Sequence, residues 1–454
     1  MALPSFIVMS VPMYSGYTYV RRNDDGSAVV GEDSMFSPLV KIELERATTN
    51  DKYVHIRFCY NNKYWQKSDG DDGIVALSSK PEEDTTKPSC TLFEVALLMP
   101  TLGNFTHVPT GRRVMMNNAT KALYVDKAGS EGALLGYMDW STLVKLPTHV
   151  AFKGDNEKYL QAFYDDHNYL KFKSDDPNYY LCSNTVSLMN DGHVRIKNDH
   201  WGMFWRRSPN WIWADSTDLT ANNNDTLFWP VKIDADTIAL RSAGNNRFCQ
   251  RLTTDGMESC LNAASSTMAK EARLQVQELV EARSINNVRY RMEDARIYGE
   301  TPYLAGTSSV TNDGDEESSL SVSITYTDEK SYSFSSSLAI TAGVTTSIKT
   351  GVPFIAEGKV EISFQVETTF EWSKSTTTTT SITATGSVPV PPRSKAVVSY
   401  VGTKGTCDVP FSYTQQDRSS TDGTITDTDQ IDGVYNGVNC YNFSFIVEKT
   451  QPLV

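Results

Sequence analysis

Two segments of the chain place aromatic side chains beside amide, carboxylate and imidazole groups. The first contains Asn61, Asn62, Tyr64 and Trp65, and the second, at an offset near 140 residues, contains Asp199, His200, Trp201 and Trp205. A sugar ring offers an apolar C–H side that packs on an aromatic face. Its hydroxyls need hydrogen-bond partners, because unpaired buried polar groups cost free energy. The two segments therefore predict carbohydrate binding.

The same aromatic residues also fit the core of a β domain, and the sequence leaves this alternative open. Tyr64 and Trp65 are adjacent in a predicted strand, so they point to opposite faces and at most one of them contacts a ligand. A wider downstream set also combines aromatic rings with hydrogen-bonding groups suited to a sugar: Trp201, Trp205, Trp211, Trp213, His200, Arg206, Arg207 and Asp215.

The sequence gives little support for catalysis. It has no GxSxG, HExxH or P-loop motif, and its seven cysteines include no CxxC pair and no zinc-type Cys/His spacing. The acidic pairs Glu82-Glu83 and Glu316-Glu317 are interpreted as solvated loop charges. We therefore predict a protein that is not an enzyme, with no catalytic residues, metal or cofactor, and rank a glycosidase last.

Charge and composition exclude other classes. A net charge of −13 argues against nucleic acid as a partner, because affinity for phosphates depends on clustered Lys and Arg. No run of 18 apolar residues occurs, so a transmembrane helix is not predicted. The region 1–16 lacks the basic start of a signal peptide. We expect a cytoplasmic or nucleocytoplasmic protein with free thiols.

Internal similarity predicts two homologous β domains. Val54–Arg57 and Asn61–Trp65 resemble His193–Ile196 and Trp201–Trp205, respectively. Within the second copy, an aromatic residue recurs about every 45 residues: Tyr159, Phe204 and Phe248. Three such units in about 140 residues predict a β-trefoil. The expected fold is all-β, with two tandem β-trefoil domains at 1–147 and 148–280 and an elongated β domain at 281–454.

The third domain contains an unusually long period-two pattern. Its apolar members are Tyr332, Phe334, Leu338, Ile340, Val344 and Ile348, then Val352 and Phe354 in a predicted apex at 350–358, then Val360, Ile362, Phe364 and Val366. Ser, Thr and charged residues alternate with them. The pattern predicts a long hairpin with one apolar and one polar face.

Such a hairpin is suited to line a membrane pore. Strands that face lipid on one side and water on the other must alternate strictly and close into a barrel. About 9 to 11 tilted residues cross a bilayer. The alternative is an amphipathic hairpin in an ordinary soluble β-sandwich, with one face in the core and the other in solvent.

The repeats resemble the amaranthin-like plant lectin (agglutinin) family. The resemblance rests on three segments: Asn61–Trp65, Pro88–Glu94 and Trp211–Ser216. From about Glu278 onward the chain is similar to aerolysin-type pore-forming domains. The family implies β-trefoil domains, and it implies binding of galactose/N-acetylgalactosamine-type glycans at a site between subunits.

The resemblance also indicates partners. They are glycans or glycoconjugates, further copies of the same chain, and a lipid membrane reached after oligomerisation. The expected function is a lectin that targets a pore-forming module to membranes in plant defence or stress. The alternative is a soluble multivalent lectin whose C-terminal β domain serves only oligomerisation.

Overall fold

The computed structural model is built almost entirely from β-strands. It describes residues 3–13, 16–99, 101–127, 133–336 and 344–453. Within these ranges the helical elements are single 3-10 turns, at Pro38–Val40, Trp140–Thr142, Asn224–Thr226, Lys270–Ala272 and Met292–Asp294. The predicted all-β class is confirmed.

The first agglutinin-like repeat forms a sheet of twelve strands. They are β1 (Phe6–Met13), β2 (Gly16–Arg22), β3 (Ala28–Glu32), β4 (Ile42–Arg46), β5 (Tyr53–Phe58), β6 (Lys63–Lys67), β7 (Ile74–Ser78), β8 (Leu92–Met99), β9 (Leu102–His107), β10 (Arg112–Met116), β11 (Leu123–Val125) and β12 (Leu135–Asp139). The first strand of each four-strand unit is β1, β5 or β9. It pairs with the strand before it, the strand after it and the strand three positions later, and for β1 the strand before it is β12. The pairing therefore repeats three times with a period of four strands.

The second repeat forms another twelve-stranded sheet. Its strands are β13 (His149–Lys153), β14 (Tyr159–Tyr164), β15 (Asn168–Ser174), β16 (Asn184–Leu188), β17 (Val194–Asn198), β18 (Met203–Ser208), β19 (Trp211–Ser216), β20 (Phe228–Lys232), β21 (Thr237–Ser242), β22 (Phe248–Thr254), β23 (Met257–Ser265) and β24 (Leu274–Glu278). β13, β17 and β21 repeat the pairing of β1, β5 and β9, and β15, β19 and β23 pair with one another. This threefold order is that of a β-trefoil.

The 45-residue period of the sequence has a structural cause. A β-bulge or register shift follows Tyr159, Phe204 and Phe248, the second strand of each four-strand unit. The next residues, Leu160, Trp205 and Cys249, are each at most 1% exposed and belong to one apolar core. The period therefore marks three equivalent positions around that core.

The remaining strands form an eight-stranded sheet. They are β25 (Val280–Tyr290), β26 (Arg296–Asn312), β27 (Ser318–Ser335), β28 (Thr346–Ala356), β29 (Lys359–Phe370), β30 (Thr376–Val390), β31 (Ser394–Ser419) and β32 (Ile425–Pro452). Its order is β29-β28-β25-β31-β32-β27-β30, with β26 on β31. Within the described residues, β29 and β30 therefore lie at the sheet edges.

Two compact units divide the chain. The first contains both twelve-stranded sheets and also residues 416–428, the tip of the β31–β32 hairpin. The second contains 285–336, 346–415 and 429–454. The predicted boundaries at residues 147 and 280 fall near the ends of β12 and β24 and stay a prediction.

A buried arginine organises one end of the first unit. Arg283 is 5% exposed and donates hydrogen bonds to both oxygens of Glu278, with distances of 2.6 and 3.2 Å. It also donates to both oxygens of Asp417, at 2.6 and 2.8 Å. Burial raises the pKa of the Glu278 carboxyl, and the Arg283 charge opposes that effect. The guanidinium therefore holds the hairpin tip at 416–428 to the last strand of the second sheet.

Candidate functional site

The first-domain residues predicted to bind sugar are largely interior. Trp65 is 0% exposed and packs on Phe58 and Phe93 at ring-centroid distances of 5.8 and 6.0 Å. Tyr64 is 1% exposed and donates a hydrogen bond from its hydroxyl to Glu45 at 2.7 Å. A ligand cannot stack on either ring in this chain, so the prediction for both residues is corrected. The register shift opposite them places its extra residue, Leu77, in β7. The two rings have different surroundings, because Trp65 belongs to the apolar core whereas Tyr64 contacts His55 edge-on at 6.1 Å.

The two asparagines before this strand differ from each other. Asn62 is 4% exposed, has a φ of +54° and accepts a hydrogen bond from Arg57. Asn tolerates this left-handed conformation better than most residues, so Asn62 is a turn residue rather than a sugar contact. Asn61 is half-buried, and its Oδ1 has no hydrogen-bond partner. Asn61 therefore still has an acceptor to offer.

Glu83 is not the solvated loop charge that the sequence predicted. Its carboxylate accepts hydrogen bonds from the Thr48 amide at 2.7 Å and the Thr49 amide at 2.9 Å, and it lies 3.3 Å from Nε2 of the buried His55. Burial opposes ionisation, but these hydrogen bonds lower the pKa of Glu83 to about 2. Glu83 therefore has a structural role.

Trp205 of the second domain also belongs to the core. It is 0% exposed, packs on Phe152 and Phe228 at 5.5 and 6.2 Å, and donates from Nε1 to Asn184 at 3.2 Å. The predicted sugar contact at Trp205 is corrected for the same reason as Trp65: each belongs to the apolar core of its domain.

The other second-domain residues lie nearer the surface, beside two tyrosines. His200 is exposed and Asp199 is half-buried, whereas Trp201 is half-buried and packs against the core with part of its ring. We define the His200 surface as Tyr179, Tyr180, Asp199, His200 and Trp201. Ring centroids are 4.9 Å apart for Tyr179 and Tyr180, 5.4 Å for Tyr180 and His200, and 5.8 Å for His200 and Trp201. Tyr180 is 61% exposed. Exposed aromatic faces next to imidazole and carboxylate groups have the chemistry that sugars require.

Local hydrogen bonds position the His200 surface. Asp199 accepts from the Ser183 hydroxyl at 2.5 Å and the Thr185 hydroxyl at 2.6 Å, so its carboxylate is fixed. The buried Asn198 accepts from the Trp201 amide at 3.4 Å, and Gly202 supplies the positive φ of +66° that ends the turn. Tyr179 and Tyr180 were not among the residues predicted from the sequence, although an aromatic pair in a polar loop could have indicated them.

Trp211 and Trp213 lie away from the His200 surface. They lie in the first half of β19, which pairs with the C-terminal end of β18, so that Trp211 is opposite Ser208. Ser208 is five residues along β18 from Met203, a distance of about 17 Å. The tryptophans that the sequence grouped together therefore divide among the core, the His200 surface and a second face.

The period-two segment of the third domain is not one hairpin. Tyr332 and Phe334 end β27, which pairs with β30 and β32. Leu338 and Ile340 lie outside the described residues. The hairpin itself is β28–β29, from Thr346 to Phe370. The predicted arm from Tyr332 to Ile348 is therefore corrected, because strand pairing depends on contacts distant in sequence.

The hairpin turn is much tighter than the predicted apex. β28 runs to Ala356, and only Glu357 and Gly358, with φ of +49° and +77°, separate it from β29. Positive φ at both positions matches the right-handed twist of the flanking strands. The predicted apex at 350–358 is therefore mostly strand.

One face of the hairpin packs on an aromatic core. Ile348, Val352 and Phe354 are at most 3% exposed, and Val344 is 9% exposed. Tyr332, Phe334, Tyr435 and Phe411 belong to the same core, and Val360, Phe364 and Val366 pack against it. In this structure the apolar face of the hairpin is therefore covered by protein.

A β-bulge interrupts the alternation of β29. Val352 pairs with Phe364, but Pro353 pairs with Ile362, so one extra residue lies in β29. Directly paired residues share a face. Ile362 therefore lies on the face opposite Phe364; it contacts Gly351 and is 56% exposed. The prediction that Ile362 shares a face with Phe364 is corrected for this structure.

Ser and Thr side chains form a ribbon along β27 and β30. The strands pair over fifteen residue pairs, and hydroxyls hydrogen-bond across them at 3.0 Å for Ser323 and Thr385 and 2.8 Å for Thr325 and Thr383. Residues 376–383 of β30 are exposed on both faces.

Two other kinds of site are absent from the described residues. No three His, Cys, Asp or Glu side chains there are grouped so that they could hold a metal ion. No helix there has the length and apolar character needed to cross a membrane.

Comparison with known proteins agrees with the two repeats. The agglutinin-domain family model matches residues 10–139 and 144–281. The family model for Clostridium epsilon toxin ETX/Bacillus mosquitocidal toxin MTX2 matches residues 264–444.

Relatives of known name match part of the chain. Natterin-2 of Thalassophryne nattereri is 26% identical over 189 residues, covering 37% of this chain and 50% of natterin-2. Natterin-1 of the same organism is 28% identical over 153 residues, covering 34% of this chain and 43% of natterin-1. The chain thus spans about half the length of the curated relatives it matches.

Solved structures with similarity include a lamprey immune protein and an aerolysin-like protein from Bombina maxima. The first is 13% identical, covers 77% of this chain and 86% of its own, and has a TM-score of 0.31. The second is 13% identical, covers 37% and 99%, and has a TM-score of 0.25. On the family matches, the chain belongs to the agglutinin-domain family, with two agglutinin domains followed by an aerolysin-like toxin domain of the ETX/MTX2 type.

Proposed function

We propose that this protein is a lectin that delivers a pore-forming module to glycan-bearing membranes. One observation carries the proposal: the chain that holds two agglutinin domains also holds, in its toxin-family region, a hairpin with an apolar and a polar face. Binding would raise the local concentration of the toxin domain at a membrane. The protein acts by binding and refolding, without a catalytic step.

The His200 surface is the candidate lectin site of the second domain. Tyr180 and Trp201 offer aromatic faces, and Asp199 and His200 offer hydrogen-bond partners for hydroxyls. Membership of the agglutinin family supports galactose/N-acetylgalactosamine-type glycans as ligands. The same family resemblance supports a site completed by a second subunit, a cytoplasmic or nucleocytoplasmic location, and a role in plant defence.

The β28–β29 hairpin is the candidate membrane segment. Its strands contain 11 and 12 residues, enough for a tilted strand to cross a bilayer. Its apolar face is covered in the soluble protein, so insertion requires release of Ile348, Val352 and Phe354 from their core. Lipid would then replace that core, and pairing with neighbouring subunits would close the barrel.

Oligomerisation has a candidate surface at the sheet edge. β30 is fifteen residues long and lies at one end of the strand order within the described residues. An edge strand can pair its unused backbone groups with another chain. Exposed Ser and Thr side chains along 376–383 keep that edge soluble until then.

The second candidate function is a soluble multivalent lectin. It is favoured by the packing of Val352 at 0% and Phe354 at 3% exposure, as expected of an ordinary β-sandwich hairpin. In that case the C-terminal domain would serve oligomerisation alone.

A two-step experiment separates the candidates. A glycan array first identifies a bound sugar, and dye-loaded vesicles carrying that sugar are then mixed with the protein. Sugar-dependent release, inhibited by the free sugar, is the expected result. Binding and agglutination of these vesicles without release, over a range of pH and lipid composition, would establish the soluble lectin instead.

A further inference from the structure

The three hairpins of the second domain meet where β15, β19 and β23 pair with one another. At this place Trp211 on β19 pairs with Asn262 on β23, and Asn262 pairs with Gln250 on β22. Paired residues lie about 5 Å apart on a common face. We call Trp211, Asn262 and Gln250 the junction row; it spans about 10 Å.

Asn262 is a buried polar residue with an unused acceptor. Its side chain is 4% exposed, and its Oδ1 has no hydrogen-bond partner. The neighbours Leu261 and Ala263 face the apolar core. Because side chains alternate along a strand, Asn262 faces the opposite side, with Trp211. An unpaired buried carbonyl costs about 1–3 kcal/mol, which a ligand donor at this position would recover.

Trp211 has an aromatic face to offer. Tyr169 contacts its ring edge-on at 5.9 Å and 80°, and no other ring or cation in the described chain stacks on it. Trp213 differs, since His167 stacks on it at 3.8 Å and the Arg206 guanidinium lies 5.5 Å from its centroid. Trp211 is therefore the residue of this surface that a ligand ring can cover.

The geometry points to the junction row as a second carbohydrate site, for a neutral sugar of one or two pyranose rings. The C–H side of a ring packs on Trp211, and a hydroxyl of that ring donates to Asn262 Oδ1. The half-buried Gln250 amide, next in the row, pairs with a further hydroxyl. The row carries no formal charge, and this matches a neutral ligand.

The first domain lacks this arrangement. Its corresponding strands, β7 and β11, meet at a bridge between Gly73 and Tyr124. At this bridge glycine takes the position of Trp211 and tyrosine takes that of Asn262, so an aromatic ring does not lie beside a buried amide acceptor there. The junction row is therefore a feature of the second domain alone. None of the three junction-row residues belongs to the His200 surface, so the two surfaces are distinct.

The test is a glycan array of neutral mono- to tetrasaccharides, probed with the full-length protein and three variants. Trp211→Ala removes the aromatic platform, Asn262→Leu removes the acceptor, and Tyr180→Ala is the control at the His200 surface. We expect at least one glycan to lose about tenfold in affinity with Trp211→Ala and about fivefold with Asn262→Leu, but to be unaffected by Tyr180→Ala.

The thermal midpoint distinguishes a ligand role from a structural one. Because Asn262→Leu removes an unpaired buried carbonyl, we expect its midpoint to stay equal to wild type or to rise. The inference is overturned if every bound glycan is insensitive to Asn262→Leu and Trp211→Ala. It is equally overturned if Asn262→Leu lowers the midpoint and binding together. If glycan binding is lost in Tyr180→Ala but in neither of the other two variants, the proposed lectin function stands and the junction row is not a sugar site.

Discussion

The bulge in β29 provides a sharp test of membrane insertion. Ile362 and Gln365 are both exposed in this structure and both lie against Gly351, on one face of the hairpin. In a strictly alternating pore strand the bulge is lost, and residues 362 and 365 point to opposite faces because their spacing is odd. Ile362→Lys and Gln365→Lys are therefore equivalent changes in the soluble protein and opposite changes in a pore.

The two substitutions have different expected free-energy costs in the soluble protein and in the membrane. Surface substitutions at exposed positions usually change the free energy of unfolding by less than about 0.5 kcal/mol, so both variants should melt like wild type. Ile362 is the fourth residue after the hairpin turn, near the middle of a crossing of about ten residues. A lysine facing lipid at that depth costs about 2–4 kcal/mol in each subunit. At about 1.4 kcal/mol per factor of ten, this corresponds to about 30- to 700-fold less insertion.

Dye release from vesicles carrying the bound glycan is the assay. Ile362→Lys should bind the vesicles normally and release at least thirtyfold less dye, whereas Gln365→Lys, facing the polar lumen, should release dye like wild type. If the two variants release dye equally, residues 362 and 365 share a face on the membrane as well, and the strict-alternation model of the hairpin is wrong.

Three further predictions concern stability. Burial lowers the pKa of His107 from 6.5 to about 4, so between these pH values the unfolded state binds more protons than the folded state. The neutral histidine therefore contributes about 3 kcal/mol of stability above pH 6.5, and this contribution is lost as the pH falls to 4. Calorimetry should show a smaller loss in His107→Gln, and an unchanged loss would contradict the prediction. Trp205→Ala should destabilise the second domain by about 3–5 kcal/mol in urea unfolding, and Tyr180→Ala by less than about 0.5 kcal/mol, since only the first is a core residue; equal effects would contradict that assignment. Arg283→Met leaves the buried Glu278 carboxylate unpaired and should lower the free energy of unfolding by about 3–5 kcal/mol. Because residues 416–428 lose their attachment, trypsin should cleave faster after Arg418. Cleavage at the wild-type rate would argue against the anchoring role.

The period-two pattern indicated β-strands in the third domain, because burial of one face imposes a period of two. The recurrence of Tyr159, Phe204 and Phe248 indicated the threefold unit, since each precedes an equivalent bulge. The pattern could not show that Tyr332 belongs to a different strand pair from Ile348. Which strands pair depends on contacts far apart in sequence, and period-two alternation does not contain that information.

The candidate sugar-binding residues were harder to predict for a related reason. Tyr64 and Trp65 have the right chemistry, but neighbouring strands bury both, and a single sequence does not reveal which side chains the tertiary fold covers. The turn that contains Asp199, His200 and Trp201 was recognised from the sequence because it is polar and local, and its sugar binding stays a prediction. Tyr180 joins it from a loop about twenty residues earlier, and only the tertiary fold makes them neighbours.

The arginine at position 283 gives one side chain control over two remote stretches of polypeptide. Its four donated bonds link Arg283, early in the toxin-like region, to Glu278 at the end of the second lectin-like repeat and to Asp417, 134 residues later. Loss of this single cation would untie both stretches at once. A single substitution at position 283 would therefore weaken the attachment of residues 416–428 to the second sheet, without changing any residue of the His200 surface or of the β28–β29 hairpin.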